Sequence, residues 1–281
     1  LRLSGWRHAD LLHAHDTRGA QVAFLASRLT RQPYLITRRV IKRPGNNCFT
    51  RALYRNAACV VSLSHAVQLV MDAYLPGLRQ EVIPSMAANL SVDAAEAASI
   101  RTQYPASAVL VLQVGALVCH DKGQQYTIQV ARRLAKSHPD VHFLLLGEGR
   151  DEAKLRGMSE GLDNVHFLGF RANVGDYLAA SDMFFFPSVQ EGLGSSLLDA
   201  MSAGLPILAS DVGGIPDVVQ HEVNGLLRAV GDVDGLESDL IRLNLDSALR
   251  SRLGSSGKRG VDAYHPVEIS RHYRSLYERL L

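Results

Sequence analysis

The sequence predicts an α/β protein with two domains, each built around a parallel sheet. Short apolar runs typical of buried strands alternate with segments of helical period along the chain. Several runs end in glycine or polar turn residues, and a second alternating series begins at Val109. At 281 residues the chain is long for one domain and short for two complete ones.

Composition is that of an ordinary globular protein, with 47% hydrophobic and 21% charged residues. No apolar run approaches the roughly 20 residues of a membrane span. The first eight residues are too polar for a secretory signal. Cys48, Cys59 and Cys119 lack paired spacing, so we expect a reducing, cytoplasmic compartment and no zinc site.

Charge is distributed unevenly. Residues 1–85 hold 12 Lys/Arg against 4 Asp/Glu, whereas the remainder holds 18 against 24. This imbalance favours an anionic partner for the 28–55 region, such as membrane headgroups or a phosphorylated acceptor, although a solvated basic face stays an alternative. Nucleic acid is not expected, because no recognised binding motif accompanies the charge. The basic residues of this region are Arg28, Arg31, Arg38, Arg39, Lys42, Arg43, Arg51 and Arg55.

Residues 1–84 are predicted to form the first domain. Leu11 and Leu12 begin a short strand that ends at His15, and ligands of parallel sheets sit beyond the carboxyl ends of the strands. His15 is therefore a candidate site residue, with a plain strand-end hydrogen-bonding role as the alternative. The further predicted elements are a helix at Gly19–Leu29, a strand at Pro33–Thr37, a basic loop at Arg38–Asn47, a helix at Phe49–Ala57, a strand at Cys59–Ser64, a helix at His65–Tyr74 and a strand at Glu81–Pro84.

Residues 85–265 are predicted to form the second domain, after a hinge at Pro84–Val92 that lacks periodicity. Strands are expected at Val109–Gly115, Val141–Gly147, Val165–Gly169, Asp182–Phe186, Ile207–Ala209 and Asn224–Leu227. Helices are expected at Ala94–Tyr104, Lys122–Ser137, Glu152–Met158, Val174–Ala180, Ser195–Met201, Gly214–Gln220 and Leu236–Leu253.

The loop from Gly115 to Gly123 is a candidate phosphate site, because it joins a strand to a helix N-terminus. Lys122 would supply a point charge for a diphosphate, with a solvated lysine at a helix start as the alternative. A second glycine pair, in Gly147-Glu148-Gly149, is too short a pattern for a dinucleotide fingerprint and indicates a tight turn.

The stretch from Phe186 to Gly214 carries the most specific pattern in the chain. A strand, a glycine-containing loop and a helix N-terminus form an anion-binding arrangement. Glu191 in the loop and Asp199 in the helix lie eight positions apart. Carboxylates beside an anion site make sense when they accept hydrogen bonds from sugar or ribose hydroxyls, while backbone N–H groups hold the phosphates. A glycine-rich turn in an α/β core is the structural alternative.

This stretch resembles the signature of the group 1 retaining glycosyltransferases, which have two Rossmann-like domains (the GT-B architecture). Their pattern places an acid, a Gly-hydrophobic-Gly and a second acid at the spacing of Glu191, Gly192-Leu193-Gly194 and Asp199, although the second acid is usually Glu. The match continues through 200–206 and 213–217. The resemblance implies about half a Rossmann unit before Ala9, so the N-terminal domain is expected to be incomplete.

The resemblance implies transfer of a sugar from a nucleotide diphosphate sugar with retention at the anomeric carbon. The nucleotide sugar is the co-substrate, and no metal or cofactor is expected. His15, Lys122 and Glu191 are the implied catalytic residues, with His15 contacting the transferred sugar or the acceptor. The implied donor-binding residues are Gly115, Lys122, Phe170, Arg171, Glu191, Gly192, Leu193, Gly194, Ser195, Ser196 and Asp199.

The largest departure from the family pattern is at position 116. Ala116 stands where the family has a phosphate-binding arginine, and Arg171 is a candidate substitute. This departure keeps open a non-catalytic nucleotide-sugar binder or partner subunit as an alternative. A sugar-nucleotide 2-epimerase on the same architecture is the other alternative.

The resemblance also bears on the C-terminal tail and on the start of the basic loop in the first domain. The tail at 266–281 is predicted to be a helix, which in the family packs back on the N-terminal domain. The segment Thr37-Arg38-Arg39-Val40 is similar to that of members that build lipopolysaccharide cores. It implies a lipid-linked anionic acceptor and a peripheral position on the inner face of the membrane.

Overall fold

The computed structural model describes residues 9–281, so the polar stretch Leu1–His8 and the start of the first predicted domain lie outside the described residues. The chain divides into two compact units. Of the described residues, the first comprises 9–85 with Tyr264–Leu281, and the second comprises Met86–Ala263. Each unit is an α/β structure around a parallel sheet, which confirms the predicted fold class.

The first unit has a four-stranded parallel sheet in sequential order. Its strands are Leu12–Ala14 (β1), Tyr34–Arg38 (β2), Cys59–Ser62 (β3) and Gln80–Val82 (β4). Three helices connect them, Thr17–Thr30 (α1), Cys48–Arg55 (α2) and His65–Tyr74 (α3). Strand β1 ends before His15, because the Asp16 carboxylate accepts the Gly19 N–H at 2.6 Å and caps helix α1.

The two faces of this sheet are covered by different parts of the chain. Tyr34, Ile36 and Val60 belong to a core shared with α1–α3. The alternate residues Leu35 and Val61 point to the other face, since neighbouring side chains of a strand point in opposite directions. That face is covered by the C-terminal helix Pro266–Leu280, which contributes Ile269 and Leu276.

A polar network fixes the C-terminal helix to the sheet. The His13 ring lies 2.7 Å from Tyr277 Oη through Nδ1 and 2.7 Å from Thr37 Oγ1 through Nε2. Tyr273 Oη lies 3.2 Å from the same Thr37 hydroxyl. Burial, with a smaller contribution from the neighbouring His15, lowers the pKa of His13 to about 4. The fold therefore holds His13 as a neutral hydrogen-bonding group.

The second unit has a six-stranded, wholly parallel sheet in the order β10-β9-β8-β5-β6-β7. The chain runs outward from β5 through β6 to β7, and then returns to the other side of β5 to form β8. The gap between β5 and β8 is thus the topological switch point. The strands are Val109–Val114 (β5), Val141–Leu146 (β6), Val165–Gly169 (β7), Met183–Phe186 (β8), Ile207–Ser210 (β9) and Gly225–Arg228 (β10).

The helices of the second unit differ from expectation at two breaks, and the predicted helix at Gly214–Gln220 is only a 3₁₀ turn, Ile215–Asp217. They are Ala94–Thr102 (α4), Cys119–Lys122 (α5), Gln124–Ser137 (α6), Glu152–Met158 (α7), Val174–Ala180 (α8), Ser195–Ala203 (α9), Val233–Leu245 (α10) and Ser247–Gly260 (α11), with 3₁₀ turns at Ile215–Asp217 and Val261–Tyr264. Within residues 9–281, no helix combines the length and apolarity needed to cross a bilayer.

Both breaks have local causes. Gly123, with φ +67°, separates α5 from α6, so the predicted helix start at Lys122-Gly123 is wrong: Lys122 ends one helix and Gly123 precedes the next. The predicted single helix at Leu236–Leu253 is also wrong. Asp246 ends α10, and its carboxylate accepts the Leu249 N–H at 2.8 Å to cap α11.

The segment expected to be a hinge is partly fixed within the second unit. The Ala88 N–H lies 3.3 Å from Asp199 Oδ1, and the Asp93 N–H lies 2.7 Å from Asp176 Oδ1. The backbone of Ser91 approaches Gly175 so closely that a Cβ there would lie 2.2 Å from the Ser91 carbonyl oxygen. Residues 88–93 are thus attached to helices α8 and α9.

The neutral state of His13 makes the first unit sensitive to acid. Its folded pKa of about 4 lies below the unfolded value of 6.5, so the unfolded chain binds more protons between these limits. The free energy of unfolding should fall as pH drops from 6.5 towards 4. His13→Gln should flatten this dependence, measured by hydrogen exchange of the helix at 266–280. His272→Gln, on the exposed face of the same helix, should keep the wild-type slope. Equal slopes in the two variants would contradict the assignment.

Candidate active site

The candidate site lies at the carboxyl end of the second sheet, beside its topological switch point. Open α/β sheets bind ligands in the crevice where two neighbouring strands lead their connections in opposite directions. Here those strands are β5 and β8. The connection after β5 carries Lys122, the last residue of the short helix α5, and the loop after β8 carries Glu191. The two predicted catalytic residues of this unit therefore come from opposite sides of the switch point.

Lys122 and Glu191 form an ion pair. Lys122 Nζ lies 2.5 Å from Glu191 Oε2 and 5.5 Å from the centre of the Phe186 ring. The side chains are only 26% and 14% exposed, respectively. Losing either partner would leave the other charge half-buried without compensation, which costs more than breaking an exposed pair.

Backbone contacts hold the two loops together around this pair. The Asp121 carbonyl accepts the Val189 N–H at 2.9 Å and the Gln190 N–H at 3.2 Å. Gly123 packs directly on the loop after β8, since a Cβ at this position would lie 1.8 Å from the Pro187 carbonyl oxygen. Only glycine fits there, so the loop geometry that presents Lys122 depends on it.

Helix α9 begins beside Glu191 without a side-chain cap. Its N-cap residue is Gly194, and no side chain accepts from the first-turn N–H groups. Those N–H groups carry the partial positive charge of the helix and suit an anion. Ser195 is exposed and Ser196 is half-buried. Leu193 is 3% exposed, so it anchors the loop in the core and offers only backbone to a ligand.

A cavity of about 320 Å³ opens at the ends of β5, β6 and β7. This volume is near the lower end of small-molecule sites, which span ~300–1,000 Å³. The cavity includes the predicted donor residues Gly115, Phe170 and Arg171, and it also places Arg171 on the same cavity as Ala116. Phe170 is 70% exposed, which leaves its ring available to a planar ligand.

Sequence reasoning missed Glu148 and the packing role of its glycine neighbours. Glu148 lines the cavity, and its Oε1 lies 3.4 Å from the Phe170 N–H. Gly147, with φ +138°, lets two loops touch, since a Cβ there would lie 2.0 Å from the Gly115 carbonyl oxygen. The signal available in the sequence was the position of Gly147-Glu148-Gly149 directly after a strand, at the same sheet edge as Gly115.

Two other predicted residues make contacts of their own. Asp199 Oδ1 lies 3.3 Å from the Ala88 N–H. Burial raises the pKa of Asp199, and this hydrogen bond opposes that rise. His15 belongs to the first unit, where it is exposed and its ring centre lies 3.9 Å from that of His13. Within residues 9–281, no three His, Cys, Asp or Glu side chains cluster as metal ligands would.

The comparison with protein families agrees with this geometry. Residues 108–246, which include β5 to β10 and the Lys122–Glu191 pair, match the family model for "Glycosyl transferases group 1". The chain belongs to the group 1 glycosyl transferases. All the predicted donor-binding residues fall inside the matched segment.

Similar proteins include other glycosyltransferases. The 2-deoxystreptamine glucosyltransferase of Streptomyces kanamyceticus is 31% identical over 220 residues, which are 74% of this chain and 57% of that protein. The lipopolysaccharide core biosynthesis glycosyltransferase LpsE of Rhizobium meliloti (strain 1021) is 29% identical over 223 residues, 77% of this chain and 63% of that protein. The chain thus spans less than two thirds of the length of these relatives.

A solved structure shows the same fold. Alr3699/HepE of Anabaena, crystallised in complex with UDP, is similar to this chain with a TM-score of 0.87 and 24% identity. The alignment covers 99% of this chain and 80% of that one. The fold of this group 1 glycosyl transferase is therefore GT-B.

The close packing of Gly147 on the loop after β5 can be tested by a substitution that adds a Cβ atom at this position. Gly147→Ala should lower the free energy of unfolding by about 2–4 kcal/mol, because it combines a backbone collision with a left-handed φ. Gly157→Ala is the matched control in helix α7, where a Cβ would meet nothing within 4 Å. It should be neutral or stabilising by roughly 0.5–1 kcal/mol. Urea unfolding measures both, and equal stability of the two variants would contradict the packing described.

Proposed function

We propose that this protein transfers a sugar from a nucleotide diphosphate sugar to an acceptor, with retention at the anomeric carbon. The observation that carries the proposal is the Lys122–Glu191 pair, set at the switch point beside the uncapped helix α9. Support also comes from the relatives, which are named as glycosyltransferases, and from the Anabaena protein, whose structures contain UDP and UDP-glucose.

Positive charge at this site would serve the departing diphosphate. Sugar transfer breaks the bond between the anomeric carbon and a phosphate oxygen, so negative charge builds on the diphosphate as the bond breaks. Lys122 supplies a full charge, and the N–H groups of Gly194, Ser195 and Ser196 supply the partial charge of the α9 dipole. Fixed donors of this kind stabilise a transition state without reorganising, and they fill the role that a metal ion has in other transferases.

Glu191 would hold the hydroxyls of the transferred sugar. In the free chain its Oε2 is occupied by Lys122, and its Oε1 lies 3.2 Å from the Gly192 N–H. When a diphosphate takes over the Lys122 ammonium, the Glu191 carboxylate regains lone pairs for hydroxyl groups. The ion pair thus keeps both groups in position until the donor arrives.

The cavity beside Gly115 would take the nucleoside. The exposed Phe170 ring offers a stacking surface, and Arg171 brings a guanidinium to the loop where Ala116 offers none. Arg171 is therefore our candidate for the missing phosphate contact. Asp199 is proposed for the ribose hydroxyls, which would replace its contact with the Ala88 N–H. His15 remains a prediction from the family resemblance.

A non-catalytic nucleotide-sugar binder is the second candidate, and Ala116 is the observation that favours it. The shared prediction is nucleotide binding, and the two candidates differ in turnover. A chain that binds the donor but transfers no sugar is a binder, whereas turnover without any acceptor indicates an epimerase.

The donor site predicts different effects for its two charged residues. Titration calorimetry with UDP, GDP and ADP should find one diphosphate that binds. Lys122→Ala should weaken that binding about tenfold or more, because a charge-assisted hydrogen bond contributes about 1.5–3 kcal/mol. Glu191→Ala should spare the diphosphate but remove the extra affinity for its sugar conjugate. Lys136→Ala and Glu160→Ala, at exposed positions, are the matched controls.

The double variant Lys122→Ala/Glu191→Ala guards against misfolding, because it leaves no unpaired charge behind. It should fold and bind the diphosphate as weakly as Lys122→Ala. Full affinity in the folded double variant would show that the diphosphate binds elsewhere, and the proposal would then fail.

A further inference from the structure

The first unit contains a second cavity, of about 270 Å³, which we call the basic pocket. Three cationic side chains line it, those of Arg38, Lys42 and Arg43. Of the described residues that line this pocket, none is acidic. The donor-binding residues all belong to the second unit, so donor binding does not account for this pocket. We propose that the basic pocket binds a dianionic phosphoryl group.

Arg38 is the buried element of the pocket. It ends strand β2 and is only 8% exposed, an unusual burial for an arginine. Its Nη1 lies 3.3 Å from Tyr54 Oη, and its Nη2 donates to the Lys42 carbonyl oxygen. Its Nε is buried and has no hydrogen-bond partner. A buried guanidinium donor is costly to leave unpaired, so its position in a cavity wall points to a ligand acceptor.

The flanking cations suit the same ligand. Lys42 and Arg43 are exposed, so they can adjust to a group that enters from solvent. The Arg43 guanidinium lies 5.5 Å from the centre of the Tyr74 ring, which limits its range of positions. A phosphate monoester carries about 1.5 to 2 negative charges at pH 7, which three cations balance. A carboxylate carries one negative charge, so it would balance less of the positive charge of the pocket.

Two helix starts complete the lining. Thr17 is the first residue of α1, and Thr50 lies in the first turn of α2. Both hydroxyls can donate to phosphate oxygens, and both helices direct the positive end of their dipoles to this side of the sheet. The caps of these helices, Asp16 and Asn47, already accept backbone N–H groups and are not among the lining residues.

Two sources could present such a group, a free sugar phosphate or the phosphoryl group of a lipid. The pocket is slightly below the ~300 Å³ at which sites for small molecules usually begin, so it accommodates a headgroup-sized ligand. The proposed recognition of a phosphoryl group depends only on residues of the first unit. Its use in positioning an acceptor rests on the proposed transferase function.

The test is calorimetric titration of the chain with glucose 6-phosphate, with glucose and glucuronate as neutral and carboxylate comparisons. Glucose 6-phosphate alone should bind. Lys42→Ala/Arg43→Ala should weaken binding about tenfold or more, because charged hydrogen bonds are lost. These exposed positions avoid the folding risk of replacing Arg38. Arg55→Ala, an exposed arginine of α2, should bind as the wild type does, and so should Lys122→Ala.

Vesicles separate the two sources. Phosphatidylcholine vesicles that contain phosphatidic acid should retain the chain if the ligand is lipid-borne, and glucose 6-phosphate should then compete. If the vesicles do not retain the chain but glucose 6-phosphate still binds, the ligand is soluble. Either result supports phosphoryl recognition. Equal binding of glucuronate, unchanged affinity in Lys42→Ala/Arg43→Ala, or no binding of either phosphoryl probe by the folded chain would overturn it.

Failure here is distinguishable from failure of the proposed transferase site. A chain that binds a nucleoside diphosphate through Lys122 but ignores both phosphoryl probes keeps its donor site and loses only the basic pocket. Conversely, binding of glucose 6-phosphate that survives Lys122→Ala but not Lys42→Ala/Arg43→Ala supports the basic pocket whatever the donor titrations give.

Discussion

The Lys122–Glu191 ion pair is the interaction on which the candidate site depends. Its two members come from connections on opposite sides of a topological switch point, and neither is fully solvated. Half-buried charges need compensation, so the pair constrains where both loops can lie in the free chain. In the proposed donor site the pair would also serve the chemistry, because an incoming diphosphate would replace the carboxylate as the partner of the ammonium.

The loops are positioned by backbone contacts as well as by charge. Gly123 meets the Pro187 carbonyl, and Gly147 meets the Gly115 carbonyl. These contacts link the connections after β5, β6 and β8 into one rim at the carboxyl end of the sheet. Rigid support of this kind keeps charged groups close to productive positions. The Ala88 contact extends the rim to Asp199 and attaches the start of the second unit to helix α9.

The sequence predicted the order of strands along the chain and the α/β class, because apolar runs bounded by glycine or polar turns are strong local signals. It failed where one residue redirects the backbone. Asp246 caps a new helix inside a continuous helical period, and Gly123 adopts a left-handed conformation after a short helix. Periodicity does not register such single-residue breaks.

The site residues show the same difference between local signals in the sequence and contacts that only folding creates. Glu191 and Lys122 were identifiable from motif spacing, but their direct pairing is a tertiary contact that spacing does not contain. Glu148 was missed because only the folded rim brings it to the cavity. Arg38 was visible as one basic residue among many, whereas its burial and its unpaired Nε depend on the packing of β2 and α2.

The most direct test of the central claim is a crystal structure of this chain with its tightest-binding nucleoside diphosphate. We expect diphosphate oxygens within hydrogen-bonding distance of Lys122 Nζ and of the N–H groups at 194–196, with the base in the cavity beside Phe170. The Lys122–Glu191 contact should be lengthened or replaced. A diphosphate bound elsewhere, with the ion pair intact, would contradict the assignment of the switch point as the donor site.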